Sequence, residues 1–77
     1  MPMMDKTELV DRMNALQLSI TDVALVAGTT RRAVEKWRSG QHPVPRTVCL
    51  ILDAMRDDKI DGDWLLTWLH DRVGPSD

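Results

Sequence analysis

The chain has 77 residues, one cysteine, two histidines and a formal net charge of −2, which fits a single domain and excludes an internal disulfide, while a four-ligand metal site lacks its donors. A domain this small buries roughly 60% of the surface its unfolded chain exposes, so stability must come from close helix packing, alone or together with a second subunit. Apolar runs are too short for a membrane span, and Met1 to Lys6 lacks the apolar stretch of a secretory signal, so a cytoplasmic location is expected.

Taken in order, the residues predict five helices. Asp5 caps the first, with Glu8 three positions on in a capping-box-like arrangement, and Leu9, Met13 and Leu16 form its buried stripe until Gln17-Leu18 breaks the run. Ser19 caps the second, with Asp22 in its first turn; Ile20, Val23, Ala24 and Ala27 face inward, and Gly28 ends it in a left-handed conformation. Thr30 caps a third helix that runs to about Ser39 and stops at Gly40, with Ala33, Val34 and Trp37 inward. Pro43 and Pro45 make Gln41 to Val44 a loop, and Pro45 suits the first position of a fourth helix whose apolar residues are Val48, Ile51, Leu52 and Met55. Arg56 to Gly62 reads as a polar connector. A short fifth helix carries Trp64, Leu65, Trp68 and Leu69 and ends at Gly74-Pro75. No stretch alternates like a strand and no repeat is present, so the expected fold is all-α, one compact five-helix domain spanning 1–77 with its core at about 5–73.

Charge is unevenly spread. Between Thr30 and Arg46 stand Arg31, Arg32, Lys36, Arg38 and Arg46 against the single acid Glu35, a local +4 that leaves −6 on the rest. Such a stripe is either the footprint of a polyanion or an ordinary solvated helix face. Ser19 to Gly40 has the parts of a helix-turn-helix: small Ala24 where two helices cross, Gly28 for a turn with positive φ, and Val34 and Trp37 to bury the second helix. Arg31 and Arg32 occupy the first turn of that second helix and Lys36 lies one turn further on, where side chains can reach base edges.

The run Leu18-Ser19, Val23-Ala24 and Gly28 through Gly40 resembles the Cro/repressor-type helix-turn-helix of lambdoid phages, and Pro45-Arg46 and Asp63-Trp64-Leu65-Leu66 continue the likeness, so that it spans roughly Leu9 to Leu69. The resemblance implies a lambda-repressor-like domain that reads double-stranded DNA as a transcription regulator, with a bacterial or phage origin. It implies Arg31, Arg32, Ala33 and Lys36 at the base-reading positions, Ala33 as a contact for a thymine methyl, and Thr30, Gln41, His42 and Arg46 on the DNA backbone. Arginine is shaped for bidentate contact to guanine, which suggests a G-containing half-site. Three positions depart from the pattern: apolar Ile20 where a polar phosphate-binding residue is common, Thr29 after Gly28, and Arg38 where some members carry an acid, with Met13 at the matching position of the first helix. Arg38 then has either an acid of the body or a phosphate as its partner.

Other readings stand beside these. Trp37, three residues from Val34, is expected in the core. Trp64, Leu65, Trp68 and Leu69 form either core with exposed edges, the favoured reading for the tryptophans, or a face for homodimerisation. Cys49 is expected as a small buried hydrophobe. His42 meets a phosphate or is an incidental surface residue, and His70 is expected to be incidental. No acid pair, nucleophile with base, or phosphate-cradling loop stands at useful spacing, and a domain this size is expected not to enclose a pocket of roughly 300 Å³; no enzyme activity, metal, cofactor or small-molecule ligand is expected. The competing function is a protein-interaction module on a helix-turn-helix scaffold, favoured by the acidic body and Ile20.

Overall fold

The computed structural model describes residues 4–73. Five helices follow one another, α1 (Lys6–Leu16), α2 (Ile20–Ala27), α3 (Arg31–Ser39), α4 (Arg46–Arg56) and α5 (Gly62–Arg72), with no strand among the described residues. The predicted helix end at Gly74-Pro75 lies outside the described residues.

Short polar side chains start four of the five helices. Asp5, Ser19, Thr30 and Asp61 each accept a hydrogen bond from the amide three residues on, at 2.8, 3.1, 3.2 and 3.2 Å. The full reciprocal box forms at Ser19, whose own amide donates to the Asp22 carboxylate at 3.0 Å. Asp5 and Glu8 make the single cap rather than the expected box. Pro45 is the N-cap of α4 and not its first helical residue, and no side chain caps that helix.

The ends of α1 to α4 share one geometry. A residue in the left-handed region follows each: Gln17, Gly28, Gly40 and Asp58. At each, the amide of the residue after it reaches back five positions, as from Leu18 to the Met13 carbonyl and from Thr29 to that of Ala24. Gly28, at φ +70°, has nothing within 4 Å of the place a Cβ would occupy, so backbone conformation alone calls for glycine in the helix-turn-helix turn.

The core draws Leu9 and Met13 from α1, Val23 and Ala24 from α2, Val34 and Trp37 from α3, and Val48, Cys49, Leu52 and Met55 from α4. Leu16, Ile20, Ala27, Ala33 and Ile51 pack partly buried against it. Met4, Leu18 and Val44 join the core from the segments before helices, and Leu25 is buried on α2, four positions the helical stripes do not predict. Each described buried residue is apolar. Helices α2 and α3 pack together, α1 lies against α3 and α4, and α5 lies against α2. Arg12 of α1 donates from Nε to Asp53 of α4 at 2.9 Å, joining elements 41 residues apart in the chain.

The fifth helix overturns one expectation. Trp64 is 60% exposed and Trp68 40%, so the tryptophans are not core, and no residue of α5 is fully buried. Leu65 and Leu66 face the core instead. Leu65 and Leu69 are half-buried and cannot head an external stripe as fully as the tryptophans do. His70, expected to be incidental, lies 3.6 Å from Asp22 and ties α5 to α2.

Candidate nucleic-acid interface

The N-terminus of α3 carries no acid in its first turn, and Arg31 and Arg32 place two cations at the positive end of the helix dipole. Such a placement is unfavourable within the chain and favourable to an external anion. Lys36 and Arg38 lie in the last turn, where the dipole favours cations. Arg31, Arg32, Lys36, Arg38 and Arg46 are all exposed, and none has an acidic oxygen within 4 Å among the described residues. Arg12 and Arg56 behave differently: Arg12 pairs with Asp53, and Arg56 with Asp57 at 2.9 Å. The cations of the stripe are therefore unpaired among the described residues, as are Lys6, Lys59 and Arg72, whereas Arg12 and Arg56 are paired. Arg38 takes no acid of the body as partner.

Helical geometry divides α3 into two rows. Arg32 and Lys36 are one turn apart, and both border a shallow groove with Glu35, Ser39 and Gln41. Arg31 is one turn from Glu35, and Glu35 shares a second groove with Arg38 and Val10 of α1. The Arg32 row has a cation at both places, whereas the Arg31 row contains the segment's one acid. Ala33 is half-buried between the surface and the core.

The proposed backbone-contacting residues surround these rows. Thr30 uses its hydroxyl oxygen as acceptor for the Ala33 amide, which leaves its O–H free to donate outward. Gln41 and His42 are exposed in the loop after α3, their amides both donating to the Lys36 carbonyl at 3.0 and 3.3 Å. Arg46 opens α4, a helix whose start has no side-chain cap and whose first amides lack helical partners. The structure thus brings Arg32, Lys36 and Gln41 to one groove. It also brings in Lys6, which helical periodicity in α1 does not single out: its stem crosses Gly40, the Cδ lying 3.2 Å from where a Cβ on that glycine would stand.

Elsewhere the surface offers less chemistry. An open groove of about 480 Å³ lies between the ends of α1 and α4 and the start of α5. It is lined by Asp58, Asp61 and Asp63 together with Leu16, Met55 and Leu66, and Asp61 is occupied in capping α5. No group of three metal-ligating side chains occurs among the described residues. Burial first, and the nearby Asp53 carboxylate second, push the Cys49 thiol above its ordinary range, which disfavours the thiolate a nucleophile would need. Ile20, one of the residues that suggested an interaction module, packs against the core. No described helix is long and apolar enough to cross a membrane.

Comparison with protein-family models, curated proteins and solved structures finds no match to this chain.

Proposed function

We propose that the chain is a sequence-specific DNA-binding regulator of lambda-repressor-like build that inserts α3 in the major groove. The observation that carries this reading is the concentration of five exposed cations on α3 and at the start of α4, none with an acidic oxygen within 4 Å among the described residues. Arg32 and Lys36 form the base-reading row, Arg31 flanks it, and Ala33 is short enough to let a thymine methyl approach. Thr30, Gln41, His42 and Arg46 grip the flanking phosphates. Mutual repulsion among these cations is relieved when a polyanion neutralises them.

The test is duplex DNA binding measured over a range of salt. Each phosphate contact contributes about 0.9 to the slope of log K against log salt. Arg46→Ala should therefore lower the slope by about one unit, and a wild-type affinity unchanged between low and moderate salt would remove DNA as the partner.

One recognition helix reads few base pairs, and two-fold sites place their halves about 34 Å apart. The domain is 33 Å in its longest dimension, so two copies side by side fit that spacing. Trp64 and Trp68, with the partly buried Leu65 and Leu69 beneath, are the proposed homodimer surface. Trp64→Ala should shift sedimentation of the concentrated protein toward monomer; a wild-type monomer both free and on DNA would defeat the assignment.

A further inference from the structure

We propose that Lys6 is a DNA-phosphate contact, delivered by α1 to the far end of α3 to complete a backbone clamp with Gln41 and His42. The inference rests on the DNA-binding reading above. Lys6 is the first residue of α1, the end of a helix where a cation opposes the dipole. It is exposed, and no acidic oxygen lies within 4 Å of its ammonium among the described residues, although Asp5 adjoins it in sequence and Asp11 borders a groove with it. Its position follows from packing between helices. Cδ passes 3.2 Å and Nζ 3.9 Å from the place a Cβ on Gly40 would fill, so the glycine that ends α3 also clears a path for the lysine stem.

The ammonium consequently stands at the junction of two grooves. One, of about 460 Å³, runs between Asp5 and Lys6 on one side and Gly40, Gln41 and His42 on the other, with Asp5 engaged in capping α1. The other passes between Lys6 and Arg38. A phosphate at this junction would meet cations from α1 and α3 and the polar side chains of the loop. Within the chain the negative dipole end of α3 compensates the lysine, and the two roles make different demands. A dipole contact affects folding alone. A phosphate contact releases a counterion and appears in the salt dependence of binding.

The experiment measures binding of mixed-sequence duplex DNA from low to moderate salt for wild type, Lys6→Gln, Lys6→Arg and Lys59→Gln, with thermal unfolding of each. Lys59 lies exposed on the connector between α4 and α5 and controls for the change in net charge. Lys6→Gln should lose about 0.9 of the salt slope, which is roughly eightfold in affinity at 0.1 M salt. Lys6→Arg should keep the wild-type slope, as should Lys59→Gln. Wild type that binds with a slope Lys6→Gln does not change overturns the proposal and leaves the DNA-binding reading intact; a lowered melting temperature with that unchanged slope assigns Lys6 to the end of α3. Equal losses in Lys6→Gln and Lys59→Gln also overturn it. Wild type that fails to bind overturns both.

Discussion

Replacing Arg32 with alanine should weaken binding to the specific site by about 1–3 kcal/mol, or roughly 5- to 150-fold, while random DNA loses far less. The first turn of a recognition helix points most directly at base edges. Adjacent residues there are about 100° apart, so Arg31 and Arg32 cannot address one base. Arg32 lies one turn from Lys36 and borders a groove with it, Glu35 and Gln41, whereas Arg31 lies one turn from Glu35. Arg31→Ala should therefore act as the loss of a phosphate clamp, weakening specific and random duplexes alike. Selection from random-sequence duplexes supplies the specific site, and the Arg32 variant should relax preference at one base position within it. Both side chains are exposed and outside the Val34–Trp37 face, so helicity should persist in either variant. Folded variants that both keep wild-type affinity and preference would place the reading surface elsewhere.

Leu52→Ala should lower stability by about 2–5 kcal/mol, because truncating a buried leucine loses transfer energy and leaves a cavity. Leu52 is fully buried at the centre of α4. In a chain this short the whole folding free energy is on the order of 4–12 kcal/mol, so the variant should melt about 10–30 °C lower or fail to fold. Leu50, two residues away and 68% exposed, is the control. Its alanine variant should melt within a few degrees of wild type. Similar losses at both positions in calorimetry would contradict the orientation of α4.

Helix starts and stops were the most legible part of the fold, where the signal is chemical and local. Asp5, Ser19 and Thr30 cap as their side chains suggest, and Gly28 and Gly40 end helices where expected. Gln17 and Asp58 adopt the same left-handed conformation without being glycine; aspartate is a residue type that tolerates it, whereas nothing in glutamine announces it. The helical stripes also missed Met4, Leu18 and Val44, because periodicity says nothing about residues ahead of a helix. A signal for them exists. Met4 and Leu9, Leu18 and Val23, Val44 and Cys49, and Ile60 and Leu65 each occupy the staple positions that flank a helix start, and all eight are in the core or packed on it. The tryptophans differ from expectation for a related reason: on α5 the apolar residues cover more than half the circumference, too wide an arc for spacing to choose a face, and Leu65 with Leu66 wins contact with the core. Within the candidate interface the arginines and Lys36 stood out by charge and register, whereas Lys6 depends on a contact between residues 34 positions apart in the sequence.

The attachment of α5 has a dynamic consequence. This helix has α2 as its principal neighbour, contributes no fully buried side chain, and keeps Trp68 partly covered by its own Arg72, whose guanidinium lies 5.4 Å from the ring centroid. Elements held by so little apolar contact open locally at a free energy below that of global unfolding. The other four helices can thus stay folded while α5 lifts and reseats. A second copy seated on Trp64 and Trp68 would bind the closed state and, by mass action, hold it closed. Dimerisation and the ordering of α5 would then be a single coupled equilibrium, with the local fluctuation of one helix setting the affinity between two chains.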